Sequence, residues 1–265
     1  SLVGSEMCIR DRFLHGAKDF KITQGDTLRS PNYLERASLQ TFDCVVANPP
    51  FSLKNWGSEQ FSSDIYGRNI WGCPTDSNGD FAWLQHMVKS MNPKTGRCAV
   101  VLPQGVLFRS GKEGEIRKQL VESDKLEAII TMASGVFYST GVSACILFLN
   151  NNKAVSHRGR ICMIDGSDIY TPQRAQNIMT EADIQTVFDY YAAYEDVIEK
   201  VKVVTIADIR KKDYSLAINN YIEKKEQETV PPEEIRRRYF EAYDEMIEAE
   251  ARMRELLLKG GYVIE

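Results

Sequence analysis

Phe42-Asp43-Cys44-Val45-Val46-Ala47-Asn48-Pro49-Pro50-Phe51 decides how the rest of the chain is read. The apolar run 42–47 predicts a buried strand of a parallel sheet, because strands covered on both faces lose the polar alternation of half-exposed ones. Asn48 then falls at the carboxyl end of a central strand, where open α/β sheets bind ligands. Two consecutive prolines fix the backbone and remove two N–H donors. The carbonyl oxygens of that turn are left free to face a ligand, and Phe51 follows directly.

This arrangement suits the delivery of a methyl group to a planar amino nitrogen. The lone pair of such a nitrogen is delocalised into its ring, so it is a poor nucleophile. Two acceptors at its two N–H bonds draw it towards tetrahedral geometry and localise the lone pair. The Asn48 side-chain carbonyl and the Pro49 backbone carbonyl are the candidates. A methyl sulfonium held in line then needs only near-attack distance. Phe51 is placed to stack on a base, which is worth about 1–3 kcal/mol and offsets part of the cost of extruding it from a duplex. The plainer alternative is a proline-rich strand-to-loop turn with a capping Asn.

Outward from this stretch, Phe20–Gln24 predicts a strand end leading to Gly25-Asp26-Thr27-Leu28. Asp26 there reads as an acidic ligand-side residue or as the N-cap of a short helical turn. Residues 52–79, rich in Gly, Ser, Asn and Pro, predict a long loop acting as a lid over the site. Asp80 opens a helix to about Met91, with Phe81, Leu84 and Val88 on one face. A strand at 97–102, a polar helix at 113–122 and strands at 126–131 and 143–150 follow. Beyond Asn150 a small α+β extension is expected, with no catalytic constellation. Asp165 and Asp168 read as a strand-end turn in preference to a metal pair. Pro231-Pro232-Glu233-Glu234 then starts a long helix that Gly260-Gly261 stops. Along it Tyr239, Ala242, Met246, Ala249, Met253 and Leu256 recur at alternating spacings of three and four, the seam of a coiled coil.

With these residues in view the chain resembles the modification (M) subunit of type I restriction–modification systems. The resemblance is carried by Gly25-Asp26-Thr27-Leu28, by Phe42 to Phe51, and by the extension Ser52-Leu53-Lys54-Asn55-Trp56-Gly57. It continues through Gly96–Phe108 and Gly135–Leu149 and covers residues 13–265. It implies an adenine-N6 DNA methyltransferase of the prokaryotic cytoplasm that acts on a flipped-out adenine. The implied fold is the second half of a doubly wound, Rossmann-like methyltransferase sheet with an antiparallel terminal strand. Asn48, Pro49, Pro50 and Phe51 match the catalytic box. Asp26, with Thr27 and Asn48, matches the S-adenosyl-L-methionine site. Phe137 matches the second aromatic on the target base, with a core or hairpin aromatic as the alternative. The implied partners are a specificity subunit, a second modification subunit, double-stranded DNA and, where a nuclease accompanies the complex, a restriction subunit. In the family the C-terminal helix meets the helical spacers of the specificity subunit.

The family pattern begins with a glycine-rich strand-to-helix turn and a second acidic residue, and neither precedes Phe20. Ser1 to Arg12, SLVGSEMCIRDR, resembles the conceptual translation of a sequencing-library adapter end, with a short amphiphilic arm as the alternative. The expected division is a non-native segment at 1–12, a partial catalytic domain at 13–150, an extension at 151–230 and a docking helix at 231–265. The cofactor site is expected to be incomplete, so the chain by itself should bind S-adenosylmethionine weakly or not at all.

The 265 residues, 43% hydrophobic and 26% charged, suit one good core plus an appendage. No run approaches a membrane span. The six cysteines form no CxxC pair and read as reduced, buried small hydrophobes. The three histidines are far apart, which argues against zinc, and metal is not expected. A net charge of −4 is unusual for a protein that grips DNA unaided. It fits a catalytic subunit that leaves sequence recognition to a partner, and equally a protein that never meets nucleic acid. Methylation of a ribosomal RNA guanine amino group or of a protein glutamine amide, and a non-catalytic assembly module, are the remaining readings.

Overall fold

The computed structural model describes residues 14–16, 19–137, 142–173, 176–223 and 231–261. The readings placed on residues 1–12 and on 138–141 lie outside them. The chain divides into two units, residues 1–223 and 224–265.

In the first unit two short antiparallel strands, β1 (Leu34–Glu35) and β2 (Ser38–Leu39), precede a six-stranded sheet of order β3-β4-β6-β5-β7-β8. Its strands are β3 (Cys44–Ala47), β4 (Arg97–Pro103), β5 (Leu126–Met132), β6 (Ala144–Asn150), β7 (Arg160–Gly166) and β8 (Val201–Thr205). β3 is parallel to β4, and β5 to β7. The expected antiparallel strand is β6, and its place is between β4 and β5. β7 and β8, from the stretch read as an extension, prolong the same sheet.

Helices α1 (Ser58–Ser62), α2 (Asp80–Lys89), α3 (Lys112–Glu122), α4 (Glu181–Ala193) and α5 (Ile206–Lys211) complete the unit. Phe81, Leu84 and Val88 of α2, at helical spacing, bury one face. They meet Leu102 of β4, Ile129 of β5, Leu147 of β6 and Ile116 and Leu120 of α3 in the main core. Each such side chain contributes about 1.5–3 kcal/mol when fully buried. Ile130 points the other way from Ile129, as the pleat requires, into a second core with Cys162, Ile164 and Val187 of α4. α4 opens on a capping box, the Asp183 N–H donating to Thr180 Oγ1 at 3.3 Å and the Thr180 N–H to Asp183 Oδ2 at 2.8 Å.

Three local expectations change. Phe20–Gln24 runs without strand pairing; side chains occupy its carbonyls, Tyr33 donating to Lys21 at 2.7 Å and Asn32 to Gln24 at 3.1 Å. The strand before the box is shorter than 42–47 and lies at the sheet edge. Only β4 pairs with it among the described residues, and Val46 is 74% exposed. Residues 52–79 are more than a loop: they carry α1, and Trp56 and Phe61, with Leu28 and Ala82, form a third small core. Their rings meet edge to face at 5.2 Å.

The second unit is α6 (Pro232–Lys259), with Glu233 and Glu234 in its first turn, Lys259 in its last and Gly260 as its cap. Glu234–Arg238, Glu250–Arg254 and Glu255–Lys259 pair one turn apart along its surface. Tyr239, Met246, Met253 and Leu256 of the seam are all exposed.

Candidate active site

Asn48 is the first residue beyond β3 and is exposed. Among the described residues nothing hydrogen-bonds its side chain, so the amide faces solvent with both of its functions free. Pro49 is buried and anchors the turn, Pro50 is exposed and Phe51 is half-buried. The carbonyls of Pro49 and Pro50 accept no hydrogen bond among the described residues. The turn therefore has a buried foot at Pro49, and its proline carbonyls are unused among the described residues.

Phe137 closes on it. The Phe51 and Phe137 rings lie 6.4 Å apart, centroid to centroid, with planes 68° apart. The segment bearing Phe137 is held by Asn177, which donates to the Ser134 carbonyl at 2.8 Å, and by Gln176, which donates to the Val136 carbonyl at 2.7 Å.

Asp26 performs the plainer of its two expected roles. Its Oδ1 accepts the N–H groups of Leu28 at 3.1 Å and Arg29 at 3.0 Å, which is turn capping. Oδ2 accepts from Arg29 Nη1 at 3.4 Å, and both side chains of that pair are 49% exposed. Thr27 is half-buried and its carbonyl accepts from Arg68 Nη1 at 2.9 Å.

Three charged residues to which the sequence reading gave no part in the site build its support. Arg68, 2% exposed, donates to the Thr27 and Leu28 carbonyls and to Asp64 Oδ1 at 2.6 Å, and so ties the Asp26 turn to the 52–79 segment. Burial pushes the Asp64 carboxyl up, but its hydrogen bonds with Arg68 prevail and hold it below the usual range. Asp80, wholly buried, accepts the Ser52 N–H at 2.7 Å on Oδ1 and Arg109 Nη2 at 2.5 Å on Oδ2. Arg109 also reaches Glu113 at 2.5 Å. Burial works against the Arg109 charge, yet these two carboxylates keep its pKa above the ordinary value. Gly79 packs closely on Trp56: a Cβ there would lie 3.0 Å from the ring, a tight contact. An Asp after Gly at a helix start reads as a cap, and neither Ser52 nor Arg109 is near it in sequence, so no local signal marked it.

A cavity of about 480 Å³ lies elsewhere, against the sheet, lined by Cys44, Cys98, Ile146, Phe148, Phe188 and Tyr191 among others. Glu127, also on its wall, is already bonded to His157, Asn150 and Tyr191. No box residue lines this cavity. Cys44 is exposed, against the expectation of burial, because β3 is an edge strand; Cys98, Cys145 and Cys162 are buried, and burial pushes their thiols up to about 12. Among the described residues no His, Cys, Asp and Glu cluster suits a metal, and no helix is long and apolar enough to cross a membrane.

A mixed α/β sheet with an Asn-Pro-Pro-Phe turn beyond a parallel strand has the class of a Rossmann-like methyltransferase fold, and comparison agrees. The family model for N-6 DNA methylases matches residues 3–230. The type I restriction enzyme MjaVII methylase subunit of Methanocaldococcus jannaschii is 32% identical over 253 residues, covering 88% of this chain and 43% of that protein. The HindI methylase subunit of Haemophilus influenzae is 32% identical over 218 residues, covering 79% of this chain and 47% of that protein. A type I restriction-modification methyltransferase subunit from Streptococcus thermophilus superposes with a TM-score of 0.67 at 31% identity, over 74% of this chain and 41% of that one. The chain belongs to the N-6 DNA methylase family, and it spans less than half the length of these relatives.

Proposed function

We propose that this chain forms the target-base half of a type I modification subunit, transferring a methyl group to N6 of an adenine flipped out of duplex DNA. The observation that carries the reading is the exposed Asn48 amide at the end of β3, which like the Pro49 and Pro50 carbonyls has no hydrogen bond among the described residues, beside the Phe51–Phe137 pair. Asn48 Oδ1 and the Pro49 carbonyl accept the two amino hydrogens and localise the nitrogen lone pair. Asn cannot act as a base at neutral pH, so the amino proton leaves after attack, to solvent. Phe51 and Phe137 hold the base by its faces and keep it out of the stack. Their present edge-on contact has to open to admit it.

S-adenosyl-L-methionine, when bound, supplies an electrophilic methyl on a sulfonium. The half-exposed Asp26 carboxylate suits the exocyclic amine of its adenine, with Oδ2 sharing its Arg29 contact, and Thr27 and Asn48 complete the contact that this chain offers. The proposed partners are a specificity subunit that reads the DNA, a second modification subunit and, where cleavage occurs, a restriction subunit. The test is to incubate the full-length protein and its specificity subunit with duplex DNA and labelled S-adenosylmethionine, then digest the DNA to nucleosides. Label in N6-methyladenine is expected. Label in a cytosine, in RNA or in protein, or no transfer at all, would refute the assignment.

A further inference from the structure

Ser52 follows Phe51 directly and has left-handed backbone, with φ of 50°. A non-glycine residue persists there only where its surroundings over-determine it. The determinant is the Asp80 carboxylate, which takes the Ser52 N–H at 2.7 Å. Asp80 opens α2, where the unsatisfied N–H groups of the helix start favour a negative charge. Its second oxygen is held by Arg109 Nη2 at 2.5 Å, and Arg109 is itself held by Glu113. The turn is gripped once more where the Gly79 N–H donates to the Leu53 carbonyl at 2.9 Å. The ion pair therefore sits one residue behind the ring that meets the base.

We propose that Asp80, braced by Arg109, is a positioning residue for methyl transfer: it locks Ser52 and thereby aims the Phe51 ring and the Pro49 carbonyl at the target base. This rests on the function proposed above. Asp80 touches no substrate, so its effect travels through the turn. A shift of about 1 Å at such a distance from the chemistry costs up to about 100-fold in rate.

The test uses the full-length protein in its complex, with Asp80→Asn, Arg109→Gln and the double variant. Asp80→Asn still offers an oxygen to Ser52 but turns an NH2 group towards the guanidinium. Expected are a fall in kcat of about 10- to 100-fold, an unchanged dissociation constant for S-adenosylmethionine, and brighter emission from 2-aminopurine at the target position, because Phe51 no longer stacks on it. Arg109→Gln in the Asp80→Asn background should restore part of the rate, as amide then meets amide. Should Asp80→Asn fail to fold, Arg109→Gln carries the same test, its side chain being 30% exposed. Wild-type kcat in both single variants would overturn the proposal. So would a loss of rate, cofactor affinity and melting temperature together with wild-type 2-aminopurine emission, which is the signature of a mere structural brace. An inactive wild-type complex would instead strike at the function proposed above and take this inference with it.

Discussion

Phe51 and Phe137 meet edge to face, with ring centroids 6.4 Å apart, although they follow strands that β4 and β6 separate in the sheet. One follows β3 and the other follows β5. Replacing either by Ala should cost about 1–3 kcal/mol of base stacking, read as kcat/KM for methyl transfer by the full-length complex. The double variant should lose less than the sum, because the rings share one base. Full activity in Phe137→Ala would assign that ring to packing alone.

Arg68 should be the most costly single loss to stability in the 52–79 segment. Its ion pair with Asp64 is buried on both sides, with side chains 3% and 4% exposed. Arg68→Met would strand a buried carboxylate and release the Thr27 and Leu28 carbonyls, a loss of about 3–5 kcal/mol. Urea denaturation of wild type and variant measures it. A change under about 1 kcal/mol would match a surface pair and contradict the buried one.

His86 makes the fold sensitive to mild acid. Burial, with the nearby Arg68 charge, lowers its pKa to about 4. An unfolded chain binds that proton near pH 6.5, so between about 6.5 and 4 the unfolded state holds more protons than the folded one. Stability contributed by His86 is therefore whole above that window and is lost as pH falls through it, by about 3 kcal/mol at most. Denaturation midpoints taken from pH 7 to pH 4.5 should fall in wild type and fall less in His86→Gln. Parallel slopes in the two proteins would exclude His86 as the cause.

The exposed seam of α6 should be a partner surface. Tyr239→Glu with Met246→Glu places charge at two of its positions, 62% and 55% exposed, without loss of helix propensity. Co-purification of the full-length protein with its specificity subunit should be abolished while the circular dichroism of the double variant stays unchanged, and deletion of residues 232–265 should abolish it too. Undiminished co-purification would remove the docking role.

Much of the site was legible in the sequence because its chemistry is covalently contiguous. Asn48 to Phe51 are neighbours, and two prolines leave few ways to arrange them. Most strands and helices beyond residue 80 were legible from periodicity, whereas the strand read at 20–24 does not form and the short β1, β2, α1 and α5 carry too few residues for a period; the order of the strands was not legible at all. Nothing in 144–150 says that β6 slides between β4 and β5, since pairing is chosen by the whole sheet. Val46 looks buried by composition, yet a strand paired on one side leaves it open. Ser52, Asp80 and Arg109 are distant in sequence, and only folding brings a buried carboxylate to a backbone N–H. Phe137 was placed by resemblance, since a lone aromatic in a loop carries no mark of its neighbour.

The most direct test is single-turnover transfer of a labelled methyl to adenine by the full-length complex, wild type against Asn48→Ala, with cofactor binding measured in parallel. Loss of one of the two amino-group acceptors should slow transfer at saturating cofactor by about 100- to 1,000-fold, beyond any loss of the cofactor contact that the parallel binding measurement records. Transfer at the wild-type rate would contradict the role of the Asn48 oxygen and, with it, the mechanism proposed for this turn.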